Sequence, residues 1–389
     1  MKTETGVILT GGDFQGLGAL RALSENNIPV VILDHDHCIS RYSRCPHRFI
    51  HAPPTSDHDA YISFLIELAD QENLRNWILL PNSDEMVYLL SNHRDQLMEL
   101  YRTPVPAWDV VQKIYIKKNS YQLAESLGVA IPRSFFPVDE ADLRTMDIPF
   151  PAIIKPSIRD HLYHQVHVKA YRADTLDELI EVYRKICRMI DPSEVVVQDM
   201  IPGGADVLYS FCPFFKEGNV LASITAKRSR QHPMTFGHAS TFAELVNIPE
   251  LQEHATRFLR AAEYYGLCEV EFMFDQRDGK YKFLEVNPRI WGWHSLAIAA
   301  GVNLPYLLYN DIQGIPQKSC TPLDHLKWVR LTTDIPTVLG EIIKGRMRIR
   351  DYLASMKGTK TFAVFSARDP APFFAELLML PYLAIKRGF

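Results

Sequence analysis

The stretch CEVEFMFDQRDGKYKFLEVNPRIWGWH, residues 268–294, has two apolar-rich segments on either side of a turn that contains Asp278-Gly279. Such segments around such a turn are typical of a β-hairpin. If the loop has three residues and ends at Gly279 in the left-handed conformation, Glu271 is paired directly with Glu285. A shift of one residue in either direction would put the two carboxylates on opposite faces of the sheet. The stretch therefore predicts an antiparallel hairpin with two facing acids.

Polar side chains recur at every second position of the second strand, as Glu285, Asn287 and Arg289. Side chains two residues apart on a strand point to the same face. Two facing carboxylates repel each other unless a cation lies between them, and Mg²⁺ shares its coordination shell between carboxylates and substrate phosphates. The pattern predicts a metal and phosphate site, and the alternative is an exposed polar face of the strand.

The composition is that of an ordinary globular protein. The chain has 389 residues, 47% of them hydrophobic and 23% charged, enough for two or three domains. Its net charge of −4 gives no basic footprint for nucleic acid. Its six cysteines are scattered without a C-x-x-C pair, which predicts neither a disulfide framework nor a zinc site and favours the cytoplasm. We expect no signal peptide and no transmembrane segment, because the N-terminus leads directly into a strand and no apolar run is long enough.

The N-terminal part has the alternating pattern of a parallel α/β domain. VILTGGDFQGLGALRALSENNIPVVILD, residues 7–34, predicts a strand, a glycine-rich turn, an amphipathic helix and a second strand. Its glycines lack the G-x-G-x-x-G spacing, so a tight turn explains them better than a dinucleotide site does. WILLPNSDEM, residues 77–86, places polar side chains at the end of another strand, where open sheets bind ligands. A helix N-cap explains Ser83 or Asp84 equally well.

These patterns predict a mixed α/β and α+β protein of several domains. A parallel α/β domain is expected over residues 1–110, followed by two lobes with antiparallel sheets over residues 111–205 and 206–319. We expect residues 320–389 to form a C-terminal helical extension.

Taken in order, these residues resemble the ATP-grasp superfamily, in the branch of carboxylate-amine ligases related to D-aspartate ligase and biotin carboxylase. The resemblance covers residues 1 to about 315 and implies a pre-ATP-grasp domain followed by a two-lobed ATP-grasp domain. Matched residue by residue, it implies that Glu271, Glu285 and Asn287 bind the metal ions. It further implies that Arg289 is catalytic and stabilises the transition state.

The resemblance also implies the nucleotide contacts. Lys117 and Lys155 match the two lysines that bind phosphates. Asp199 and Asp206 match the acids that contact the adenine amino group and the ribose, which are usually glutamates in the family. The other nucleotide-binding positions expected are Met200, Ile201, Glu271 and Glu285. Without the resemblance, the lysines would be solvated surface residues and the aspartates turn formers.

Further cations and aromatic residues are candidates for the substrate side of the site. In KRSRQHPMTFG, which starts at Lys227, we expect Lys227, Arg228 and Arg230 to hold phosphate or a substrate carboxylate, the first two as catalytic residues; a solvated loop is the alternative. Trp291, Trp293 and His294 either wall an acceptor pocket or pack in the core.

The resemblance implies an ATP-dependent ligase. A substrate carboxylate attacks the γ-phosphate of ATP to form an acyl phosphate, and an amine then displaces phosphate, with release of ADP and phosphate. Expected partners are ATP, two Mg²⁺ ions with Mn²⁺ as a substitute, a small carboxylic acid, an amine such as an amino acid, and a second copy of the chain. Two alternatives stay open: a bicarbonate-activating enzyme of the carboxylase or carbamoyl type, and a non-catalytic ATP-binding regulatory module.

The C-terminal residues permit two interpretations. KGRMRIRDYLASMKG, residues 344–358, is basic, and DPAPFFAELLMLPYLAIKRGF, residues 369–389, is rich in aromatic residues and leucine before two cations. One hypothesis is peripheral membrane contact through this C-terminus. The favoured one is a helix packed on the body of the protein or on a dimer partner. His161, His164 and His167 are not predicted to bind metal, since a spacing of three suits neither a strand face nor a strong helical pair.

Overall fold

The computed structural model describes residues 5–158, 162, 166, 168–235, 237, 239–317 and 320–387. In these residues the strands form three sheets. The N-terminal sheet is parallel, and the other two are antiparallel apart from one parallel pair of strands in the largest sheet. The predicted mixed α/β class is therefore confirmed.

The N-terminal sheet is parallel, with the order β3-β2-β1-β4. Its strands are β1 (Val7–Leu9), β2 (Val30–Asp34), β3 (Arg48–His51) and β4 (Ile78–Leu80), and its helices are α1 (Phe14–Ser24), α2 (His58–Gln71), α3 (Asp84–Asn92) and α4 (Arg94–Met98). Val7 and Leu9 pack into one core cluster and Ile8 into another, because helices cover both faces. The glycines of the turn between β1 and α1 allow a close approach of the backbone, because a Cβ at Gly16 would lie 2.0 Å from the carbonyl oxygen of Gly11.

The second sheet is antiparallel, with the order β5-β8-β6-β7. Its strands are β5 (Ser134–Phe135), β6 (Ala152–Pro156), β7 (Tyr171–Ala173) and β8 (Val195–Asp199), preceded by helices α5 (Trp108–Tyr115) and α6 (Lys117–Ser126) and packed against α7 (Glu140–Thr145) and α8 (Leu176–Ile186). Helix α8 starts at the N-cap Thr175, whose side chain accepts a hydrogen bond from the Glu178 backbone. Its apolar face closes a separate core over this sheet.

The third and largest sheet has the order β14-β13-β9-β10-β11-β15-β16, with β12 beside β9. The strands are β9 (Leu208–Lys216), β10 (Asn219–His232), β11 (Ala239–Leu245), β12 (Gly266–Leu267), β13 (Glu269–Asp275), β14 (Lys280–Asn287), β15 (Lys327–Val329) and β16 (Lys360–Phe362). The prediction that residues 320–389 form a helical extension was wrong in this respect, since β15 and β16 extend the sheet. Strands of three residues are too short to give a periodic pattern.

The remaining helices are α9 (Pro249–Ala261), α10 (Ser295–Ala299), α11 (Leu304–Ile312), α12 (Leu331–Ile343), α13 (Ile349–Ser355), α14 (Ala371–Leu378) and α15 (Leu380–Arg387). Helix α14 is attached to the body by buried polar contacts. Glu376 pairs with Arg330 and accepts a hydrogen bond from Thr332 at 2.9 Å, and nearby Asp369 pairs with Arg21 at 2.9 Å. Within the described residues, no helix has the length and apolar character needed to cross a membrane.

The hairpin of β13 and β14 has the predicted pairing but a different loop. Glu271 is paired with Glu285, as expected. The turn, however, contains four residues, because Asp275 is paired with Lys280, and a β-bulge at Leu284 restores the register before the site. The same bulge interrupts the alternation of side chains, so that Phe283 is buried in the core although it lies only two residues before Glu285.

Candidate active site

A cleft lies between the second and third sheets and is lined by both charged and apolar side chains. The charged residues that line it include Lys117, Lys155, Arg228, Glu271 and Glu285. The apolar walls include Ile153, Met200, Ile201, Leu208, Met273 and Leu284. An apolar slot next to clustered charges suits a ligand with a flat ring at one end and anionic groups at the other.

The two paired glutamates are compensated by different cations. Lys117, the first residue of α6, contacts Glu285 at 2.9 Å between Nζ and Oε2. Glu271 pairs with Arg228 and accepts a hydrogen bond from the Asn287 amide at 2.7 Å. Burial alone would raise the pKa of Glu285, but the ammonium groups around it, Lys117 first, lower that pKa well below its usual range. Glu285 is thus held ionised inside the cleft.

Lys155, near the end of β6, donates a hydrogen bond to the hydroxyl of Tyr121 at 2.8 Å. That hydroxyl in turn donates to the carbonyl oxygen of Leu284, the bulge residue, at 2.8 Å. Burial, with a contribution from Lys117, lowers the pKa of Lys155 to about 7. The ammonium is therefore easily discharged unless an anion binds beside it.

Arg289 follows β14 and reaches across to the N-terminal domain. Its guanidinium donates to both carboxylate oxygens of Asp84, at 2.7 and 2.9 Å, and to the Asn287 side-chain oxygen at 3.1 Å. Asp84 lies in the first turn of α3, which starts at the N-cap Ser83. The sequence pattern had indicated the strand end before Ser83 as a ligand site or a helix cap, and the structure shows the cap together with this ion pair.

Glu269 was not predicted as a site residue. It is buried, and it accepts hydrogen bonds from Ser210 at 2.8 Å and from the indole of Trp293 at 3.2 Å. Burial, and next the Glu271 carboxylate, raise its pKa well above its ordinary value. Its position two residues before Glu271 on the same strand was the signal that could have identified it.

A second, more polar cavity adjoins the cleft. It shares Arg228, Glu271 and Glu285 with the cleft and extends to Asn287 and Arg289. The N-terminal domain contributes Asp13, Gln15, Asn82, Ser83 and Asp84 to its wall, and the C-terminal region contributes Arg330 and Thr333. All three parts of the chain therefore meet around one continuous space.

Several predicted nucleotide residues meet at the cleft and one does not. Met200 and Ile201 line it beside Asp199, whose carboxylate accepts two hydrogen bonds from Arg277 at 3.0 and 2.7 Å. Asp206 accepts a hydrogen bond from the backbone of Gly204 at 3.1 Å and, among the described residues, is not part of the cleft wall.

The two cations expected to be catalytic separate onto opposite faces of β10, because neighbouring residues of a strand point in opposite directions. Arg228 points into the cleft, whereas the ammonium of Lys227 lies 5.7 Å from the ring centre of Tyr209 and, in the described part of the chain, outside both cavities. Trp293 lines the second cavity, while Trp291 and His294 are buried. His161, His164 and His167 lie outside the described residues.

The donor set fits a metal ion that receives most of its ligands from elsewhere. Among the described residues, no three His, Cys, Asp or Glu side chains form a metal cluster. Two facing carboxylates need a compensating charge, which Lys117 and Arg228 supply here. The two glutamates and the Asn287 amide match the few protein ligands that Mg²⁺ takes when substrate phosphates complete its shell.

Residues 212–333 match the family described as ATP-grasp in the biosynthetic pathway with Ter operon. The D-aspartate ligase of Enterococcus faecium (strain Aus0004) is 23% identical over 330 residues, which cover 78% of this chain and 76% of the relative.

Two solved structures illustrate the shared fold. The L-amino acid ligase of Bacillus licheniformis has a TM-score of 0.60 at 15% identity, covering 83% of this chain and 76% of its own. The biotin carboxylase domain of Hydrogenobacter thermophilus 2-oxoglutarate carboxylase was solved with MgADP, ADP and bicarbonate. It has a TM-score of 0.63 at 17% identity, and the match covers 82% of this chain and 72% of that one. In sequence and in fold the chain is thus similar to ATP-grasp proteins, among them ligases that act on amino acids and biotin carboxylases.

Proposed function

We propose that this protein is an ATP-dependent carboxylate-amine ligase that forms an amide or peptide bond through an acyl phosphate. One observation supports this most directly: the cleft with Lys117 and Lys155 opens, across Glu271 and Glu285, into a separate polar cavity that contains Arg289. A protein that only binds ATP needs the cleft, and it does not need an arginine in the second cavity. The similarity to D-aspartate ligase points in the same direction.

In this proposal the apolar walls hold the adenine beside Asp199, and Lys117 and Lys155 neutralise the phosphates. Lys155 then keeps its charge because the phosphates replace the lost hydration. Glu271, Glu285 and Asn287 would hold two Mg²⁺ ions, or Mn²⁺ in their place. When bound, these ions supply charge neutralisation along the transferring phosphate.

The second cavity receives the acid and the amine. A carboxylate oxygen of the acid bonds to the γ-phosphorus of ATP, and the bond to ADP breaks. The amine nitrogen then bonds to the acyl carbon, phosphate leaves, and one proton of the amine is released to water. Arg289 faces this space and would stabilise the negative oxygen that develops on the acyl carbon.

The test is phosphate release from Mg-ATP by the purified protein, with pairs of small carboxylic acids and amino acids, and with ADP and AMP both measured. We expect ADP and phosphate only when one acid and one amine are present together. Arg289→Met should retain ATP binding and lose turnover, whereas Arg144→Met, at an exposed arginine that lines neither cavity, should behave as wild type.

The alternatives give different results in the same assay. Phosphate release with bicarbonate alone would favour a bicarbonate-activating enzyme. Tight ATP binding without release in any combination would favour a regulatory module. A cytoplasmic location and a homodimer remain predictions, which fractionation and sedimentation velocity test.

A further inference from the structure

Helix α12 exposes an apolar stripe. Ile335, Leu339 and Ile343 recur every four residues and are 43%, 54% and 85% exposed. The opposite side of the helix is buried, and Asp334 and Val338 lie on it. A helix that is packed on one side normally presents polar residues on the other. The exposed stripe is therefore not explained by the packing of this protein on itself.

A second pair of exposed apolar residues follows along the chain in helix α13, after the turn at residues 344–348. Ile349 and Leu353 are one helical turn apart and are 64% and 59% exposed. No residue of α13 is buried, so its apolar side chains do not serve the core. We call Ile335, Leu339, Ile343, Ile349 and Leu353, with the turn between the helices, the α12–α13 surface.

Cations are frequent along the C-terminal part of this surface. Between residues 341 and 357 the sequence has five cations and two acids, although the whole chain has a net charge of −4. The five cations are all exposed: Lys344, Arg346, Arg348, Arg350 and Lys357. Lys344 and Arg346 both approach the same acid, Glu341, at 3.7 and 3.8 Å. The surface therefore has an excess of positive charge.

We propose that the α12–α13 surface binds the face of a bilayer that contains anionic lipids. Apolar side chains interspersed with cations are what an interfacial helix requires. A second copy of the chain fits less well, because a symmetric contact would set these cations against each other. Nucleic acid would attract the cations but would leave the isoleucines without a role.

This surface lies close to the proposed site, although the inference does not depend on the proposed function. Thr333, in the first turn of α12, lines the second cavity. At about 1.5 Å per residue, Ile343 is about 15 Å farther along the helix. Docking through α12 and α13 would hold the cavity near the lipid headgroups. In the C-terminal segment that the sequence had indicated, the buried Glu376 attaches helix α14 to the body, and membrane contact through that segment stays a separate prediction.

The test is flotation of the full-length protein with phosphatidylcholine vesicles, with and without phosphatidylglycerol, at low and high salt. We expect binding only with phosphatidylglycerol, weakened by salt. Ile343→Ser/Ile349→Ser/Leu353→Ser should abolish it, and each cation removed in Arg346→Gln/Arg348→Gln/Arg350→Gln should weaken it about fivefold.

Two controls change exposed residues elsewhere: Val138→Ser/Leu323→Ser for the apolar set and Arg133→Gln/Arg144→Gln/Arg172→Gln for the cations. Both should bind as wild type does. The proposal fails if wild type does not bind, or if the surface variants bind as well as the controls. It also fails if sedimentation velocity shows a dimer that the serine variant converts to a monomer, because the surface would then be an interface between copies.

Discussion

Arg289 and Asp84 form an ion pair with two hydrogen bonds, Nε to Oδ1 at 2.7 Å and Nη2 to Oδ2 at 2.9 Å. The pair joins the second residue after strand β14 to the first turn of helix α3 in the N-terminal domain. Such a planar arrangement fixes the orientation of a guanidinium more strictly than one hydrogen bond does. The N-terminal domain thus sets the direction in which the proposed catalytic arginine points.

We expect Asp84→Asn to lower kcat about a hundredfold, as small misplacements of a catalytic group do, with ATP affinity nearly unchanged. Asp84→Glu should recover part of the loss, and Asp84→Asn should add little to the effect of Arg289→Lys. The measurements are kcat with the acid and amine that the phosphate-release assay identifies, and ATP binding by calorimetry. Asp109→Asn, which also removes an acid from the first turn of a helix, is the control. An unchanged kcat for Asp84→Asn would contradict the positioning role.

Lys155 should make ATP binding depend on pH. Its pKa of about 7 in the free protein means that most molecules have a neutral amine at pH 8, while bound phosphates favour the ammonium. Binding at about pH 8 should therefore take up close to one proton, and affinity should fall as pH rises above 7, by at most about tenfold per pH unit.

Calorimetry in two buffers with different heats of ionisation measures the proton uptake. Lys155→Met should abolish the proton uptake. Lys118→Met, at the residue that follows Lys117 in helix α6, should leave the uptake intact. If wild type took up no proton at pH 8, the lowered pKa of Lys155 would be wrong.

Glu269 should reduce stability at high pH. Its pKa in the folded state is raised above the unfolded value, so the folded protein binds the extra proton and loses free energy of unfolding as pH rises from the unfolded pKa through the folded one. Glutamine imitates the protonated acid and does not ionise. The melting temperature of Glu269→Gln relative to wild type should therefore increase by at least about 2 °C between about pH 5 and pH 8. Glu263→Gln, at an exposed glutamate, should show no such trend, and a trend of equal size in both variants would exclude Glu269 as its source.

Trp328 tests whether the C-terminal region belongs to the main fold. It is fully buried in β15, donates to the Ser295 hydroxyl at 2.8 Å and lies 6.4 Å from the ring of Phe14 in the N-terminal domain. Trp328→Ala should lower the free energy of unfolding by about 3–5 kcal/mol, as other deletions of large core side chains do. Urea denaturation measures this, with Leu323→Ala at an exposed position as the control, expected within about 0.5 kcal/mol of wild type. A small effect of Trp328→Ala would mean that residues 320–389 fold separately.

The sequence by itself determined the features that depend on neighbours along the chain. Helix starts, parallel strands and the hairpin follow from periodicity and turn chemistry within about ten residues. The pairing of Glu271 with Glu285 was predicted correctly, yet from a three-residue loop that the protein does not have. The bulge at Leu284 compensates for the longer turn, and the carbonyl oxygen of Leu284 accepts a hydrogen bond from Tyr121, which lies outside the hairpin.

Only the tertiary structure decided which distant residues meet. The partners of Lys155 and Arg289, which are Tyr121 and Asp84, lie on other elements, and the raised pKa of Glu269 depends on burial that no local pattern reports. The exposure of the α12–α13 surface likewise depends on which side of α12 the body covers. Local sequence specifies the conformation of a segment, whereas packing between segments specifies the distances, burial and charge on which a binding site depends.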